Sequence, residues 1–109
     1  MAEVKSKSYT LYSENGSWLG QVVITNDGMF GSVTDWGNFS YSWRSFGDCF
    51  RTFLIGLNEQ YFGGKLATGM GYIVYNKKVE KSCINYAEKI LPALRKALKE
   101  DLEKNPEWI

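Results

Sequence analysis

Three carboxylates, Asp35, Asp48 and Glu59, fall in one stretch of the chain. Two such groups can run acid–base chemistry when a cleft raises the pKa of one of them. Nothing around these three marks a cleft. Asp35 stands in a turn sequence and Asp48 at a helix start, where a short acceptor side chain serves local purposes. The chain has no histidine, so the commonest general base and the commonest metal ligand are both missing. Cys49 and Cys83 form no CxxC pair, and neither has a histidine to activate it. Both lie among apolar residues, so two reduced, buried thiols are expected rather than a disulfide. "GGKLATG" (residues 63–69) sets Lys65 beside glycines, but Leu66 stands where a P-loop needs Ser or Thr. It reads as a helix end and a flexible loop, with Lys65 as a candidate contact for an anionic small molecule. The expectation is a non-enzyme with no catalytic residues, metal site or cofactor.

A second pattern is aromatic. "WGNFSYSWRSFGDCFRTFL" (residues 36–54) holds seven rings in nineteen positions. Rings on an exposed sheet can stack nucleic-acid bases. Here Phe39, Tyr41 and Trp43 alternate with serines, which predicts one dry and one wet face. Only Arg44 and Arg51 lie nearby to track phosphates. Most of the comb is therefore expected in the core, and Trp36, in a glycine turn outside the alternation, is expected to be exposed.

The elements that carry these residues follow from periodicity. "SKSYTLYS", "WLGQVVIT", "MFGSVTD" and "FSYSW" read as strands, with Tyr9 and Leu11 on one face of the first. Asn15-Gly16, Asn26-Asp27-Gly28 and residues 35–38 are the turns between them. Near Ser45 the period changes to that of a helix, with Phe50, Phe53, Leu54 and Leu57 on one stripe. Ser45 or Asp48 is its expected N-cap, Gly56 and Asn58 weaken it, and Gly63-Gly64 end it. Tyr61 and Phe62 extend the stripe or open a short turn. "YIVY" (residues 72–75) is a candidate fifth strand or part of a linker. Residues 79–104 form a long amphipathic helix with a kink or break near Glu88 and Lys89, because Pro92 lacks a donor. Beyond it, Trp108 and Ile109 either tuck back or meet another chain. The fold class is α+β: an antiparallel four-stranded meander, with a candidate fifth strand, and helices packed on one face.

Size and charge narrow the partners. A chain of 109 residues with 44% hydrophobic content makes one domain, residues 1–109. Thirteen basic and twelve acidic residues leave a net charge of +1. That balance suits neither a duplex binder nor an acidic nucleic-acid mimic, so direct nucleic-acid binding is not expected. No secretory signal or membrane span is readable, and a cytoplasmic protein with no membrane association is expected.

The run "DWGNFSYSWRSFGDCFRTFLIGLNEQYFGGKL" (residues 35–66) resembles small accessory proteins encoded by phages and prophages. It shares a strand like "FSYSW", then an aspartate before "FRTFL", then "LNEQYFGGKL". The resemblance covers about a third of the chain and brings no catalytic residues with it. It implies a context: such proteins often bind and block a host factor, with inhibitors of bacterial defence, including anti-CRISPR proteins, among them. The expected function is a non-enzymatic protein that inhibits a host protein or complex in the bacterial cytoplasm through protein contacts. A single-stranded nucleic-acid module and a sponge for a small ligand or signalling nucleotide are the alternatives. Expected contact residues, chosen for exposure at turns and loops, are Trp18, Trp36, Arg44, Arg51, Tyr61 and Lys65. A homodimer is compatible with all three readings.

Overall fold

A computed structural model describes residues 3–69 and 77–108. Four strands, β1 (Ser6–Tyr12), β2 (Trp18–Thr25), β3 (Met29–Thr34) and β4 (Gly37–Ser42), form an antiparallel sheet in the order β1-β2-β3-β4. The meander follows from three short turns. Two need glycine. Gly28 has φ +101° and stands so close to the Trp43 carbonyl that a Cβ would collide with it. Gly37 has φ +130°, pairs with Thr34, and leaves Asp35 and Trp36 as a two-residue loop.

Alternation then sorts the side chains. Leu11, Val22, Ile24, Phe30, Phe39 and Trp43 are buried beneath the helices. A register shift at Leu11/Tyr12 leaves Leu19 unpaired opposite β1, and it also packs on the core. Phe39 stacks on Tyr86 with ring centroids 4.0 Å apart, and Trp43 stacks on Phe62 at 6.1 Å. Most of the comb does point inward, and Trp36 does not.

The helical half differs from the expectation of one helix. There are two, α1 (Phe50–Ile55) and α2 (Glu59–Gly69). The last turn of α1 tightens, with Gly56 N–H donating to Phe53 O and Leu57 N–H to Leu54 O. Asn58 Oδ1 then accepts from the Tyr61 amide at 2.8 Å and starts α2. The N-cap of α1 is neither Ser45 nor Asp48. It is Cys49, in extended conformation with no side-chain capping bond. Gly47 has φ +84° just before it, so helical backbone begins later than the composition suggests.

Gly63-Gly64 do not end the helix, and "GGKLATG" is not a loop. Both glycines lie inside α2, and Gly63 packs tightly on the third helix, a Cβ there falling 2.7 Å from the Ile84 backbone. That helix, α3 (Lys77–Lys104), runs unbroken through Pro92, so the expected break is absent. Its buried stripe, from Cys83 to Leu98, lies over β1 and β2 while α2 lies against β4. The candidate fifth strand "YIVY" falls outside the described residues, as does Ile109.

Candidate functional site

The four strands carry a single charged side chain, Lys7, in a chain that is 23% charged. Lys7 belongs to the helix side, where its ammonium pairs with Asp101 at 2.9 Å. The opposite face therefore has no charge on any strand. Register sets Ser8, Val23, Gly31 and Ser40 in one row and Thr10, Gln21, Val33 and Asn38 in the next. Val33 is 55% exposed and Met29 54%, and Tyr12, Trp18 and Val23 are exposed with them. No described helix covers this face. Exposed strands normally carry charges that keep them soluble and unpaired, so a face of serine, threonine, valine and methionine is suited to being covered.

The six expected contact residues do not form one patch. Trp18 pairs with Tyr12 at the end of the β1–β2 ladder. Tyr61 and Lys65 are neighbours on α2, the Lys65 ammonium 5.6 Å from the Tyr61 ring and 5.8 Å from that of Tyr41. The Tyr61 hydroxyl accepts from Trp43 Nε1 at 3.3 Å, which ties this cluster to the core. Arg44 is exposed just beyond β4. Trp36 is exposed as expected, with Lys89 of α3 5.2 Å from its ring.

Arg51 is a correction: it is fully buried and offers nothing to a partner. Its guanidinium donates to Asp101 at 3.0 Å, to Asn105 O at 2.7 Å and to Trp108 O at 2.6 Å. A charge survives there because these acceptors replace water. Sequence reasoning missed Asp101, since its partners are separated from it by 50 residues or more in Arg51, Tyr9 and Lys7. Burial would raise the Asp101 pKa. The hydrogen bonds from Lys7, Tyr9, Asn105 and Arg51 outweigh it and hold the carboxyl well below its ordinary range. Burial, then the Asp101 bond, pushes the Tyr9 phenol upward. Trp108 folds back here, its ring 5.3 Å from the Arg51 guanidinium.

The groups considered for catalysis are dispersed. Glu59 pairs with Arg95 at 3.0 Å, Asp35 lies in the β3–β4 turn, and Asp48 is exposed before α1. Cys83 is buried, whereas Cys49 is partly exposed, and both are free thiols. Burial would raise the Cys49 pKa, but hydrogen bonds with Thr52 and Arg51 outweigh it and bring the thiol below its usual value. Among the described residues no three His, Cys, Asp or Glu side chains are grouped to hold a metal ion. Nor is any described helix long and apolar enough to cross a membrane.

A meander sheet with helices on one face and an uncharged second face defines a small open-sheet α+β protein. Residues 1–85 match the model of a phage family, Phage_phiTE_072, and the chain belongs to that family. The match takes in the whole sheet, α1, α2 and the opening turns of α3. No curated protein and no solved structure matches the chain.

Proposed function

We propose that this phage-family protein is a non-catalytic binding protein that docks on a protein of its bacterial host and blocks it. A factor of host defence, met in the cytoplasm, is the target class. The observation that carries this reading is the uncharged outer face of the sheet. Desolvating it costs no charge burial, and it offers aliphatic and aromatic surface ringed by hydroxyls. Blocking through this face needs no imitation of DNA, in keeping with the net charge of +1. The inward direction of Phe39 and Trp43 favours this reading over base stacking on the sheet.

The test compares the wild-type chain with a Val23→Glu/Val33→Glu variant as bait in lysate of a host bacterium. Both valines are exposed, so the variant should fold normally. One identified host protein should be retained by wild type, released from the variant, and inhibited by the purified chain. Equal retention by both baits would sink the proposal. Light scattering that finds a wild-type dimer and a variant monomer would assign the face to a second copy instead.

A further inference from the structure

A cleft lies on the helix side of the molecule, away from the outer sheet face. It opens between the β1–β2 and β3–β4 turns and the middle of α3, with a volume of about 490 Å3. Leu19, Pro92 and Ala93 line its apolar part, and Tyr12 and Trp36 bring aromatic rings to it. Lys89 and Lys96 come from the same stripe of α3. They are two helical turns apart, roughly 10 Å along the axis, with only Pro92 and Ala93 between them on that stripe. Glu14 is the one carboxylate in the lining. Neither lysine makes an ion pair among the described residues.

A second cavity of about 290 Å3 adjoins the first, sharing Trp36 and Lys89 and adding Ser82, Asn85 and Tyr86. The indole of Trp36 and the ammonium of Lys89, 5.2 Å apart, thus stand at the junction of the two lobes. One lobe has an amide and a hydroxyl able to read the edge of a polar ring. The other has a second cation. Trp36 is costly to leave in water, and two cations at this spacing can both reach one polyanionic chain.

We infer that this two-lobed cleft binds a nucleoside phosphate, its base stacked on Trp36 with an edge toward Asn85 and Ser82, and its phosphates between Lys89 and Lys96. The volume suits a ligand of this size. An aromatic face beside cations is the chemistry that recognises a base and its phosphate together. This site does not depend on the docking reading: the stacking ring and both lysines lie on the β3–β4 turn and α3, Tyr12 alone being shared with the outer face, and either can fail without the other.

Calorimetric titration of the full chain tests it, with ATP, adenosine, inorganic tripolyphosphate and a short oligothymidylate as probes. ATP should bind, and adenosine and tripolyphosphate should each bind about tenfold more weakly, because each lacks half of the contacts. Trp36→Ala and Lys89→Ala/Lys96→Ala should each weaken ATP by about tenfold while leaving the circular dichroism unchanged. An oligothymidylate that outcompetes ATP would identify a single strand as the source of the same chemistry. No binding of any nucleotide at millimolar concentration would overturn the proposal. So would tripolyphosphate binding as tightly as ATP, or undiminished binding by both variants.

Discussion

Arg51 Nη1 meets Asp101 Oδ2 at 3.0 Å, joining α1 to the last turn of α3 across 50 residues of sequence. The guanidinium is wholly enclosed, and its Nε has no hydrogen-bond partner. Asp101 also holds Lys7 and Tyr9, so one carboxylate ties β1, α1 and α3 together.

Removing that carboxylate should cost more than removing the guanidinium. Asp101→Asn leaves the Arg51 charge buried with carbonyl partners only, a loss of about 3–5 kcal/mol. Arg51→Met takes the buried charge away, and Asp101 keeps Lys7 and Tyr9. Urea denaturation of both variants should rank Asp101→Asn as the less stable, and the reverse order would show that Arg51 acts mainly through packing.

The depressed Asp101 pKa also fixes a sign. Its stabilisation is present above the unfolded carboxyl value, near pH 4, and is lost as pH falls through the lower folded value. Wild type should therefore shed stability below about pH 4 by a route absent from Asp101→Asn. Acid titrations followed by circular dichroism would show the two curves converging at low pH.

Alkali should act through Tyr86. Burial raises its phenol pKa, against the opposing hydrogen bond with Ser32, and the ring stacks on Phe39 in the core. A raised pKa means stability that is complete below the unfolded phenol value, about 10, and lost as pH rises toward the folded value. Tyr9, also raised, contributes in the same direction. Tyr86→Phe should flatten the loss of stability between pH 10 and 12 to about half its wild-type steepness, since Tyr9 remains.

The two adjacent glycines of α2 should respond oppositely to alanine. Gly63→Ala places a Cβ 2.7 Å from Ile84 backbone atoms, and separating α2 from α3 should cost about 1–3 kcal/mol despite the better helix former. Gly64 has nothing within 4 Å of its Cβ position, so Gly64→Ala should gain about 0.5–1 kcal/mol. Thermal melts of the two variants should move in opposite directions.

Pro92 is exposed inside an unbroken helix. Pro92→Ala restores a donor for the Glu88 carbonyl and should stabilise the chain by about 1–3 kcal/mol. A lowered melting temperature would mean that the ring itself packs usefully in the cleft.

Period-2 and period-3.6 patterning was enough to read the strands, the inward comb and the stripe of α3. Local competition was harder to read. Asn58 both interrupts one helix and caps the next, and nothing in its neighbours says which role wins. Gly63 resembled a terminator because a glycine needed for close helix contact looks the same in sequence as one needed for a turn. Arg51 looked like a surface residue because its acceptors lie beyond residue 100. The uncharged face, by contrast, is visible in "WLGQVVIT" and "MFGSVT", where neither the inward nor the outward positions carry a charge.

The position of Asp101 late in the chain also bears on synthesis. A ribosome delivers Lys7, Tyr9 and Arg51 long before the carboxylate that receives them, and the buried stripe of α3 emerges last of all the core elements. Until then the sheet is mostly apolar on its inner face, where Lys7 is the one charge, and uncharged on its outer one, with little to discourage pairing between nascent chains. The growing polypeptide is thus most prone to self-association before α3 is made, and arrival of α3 both closes the core and neutralises the enclosed cation of Arg51.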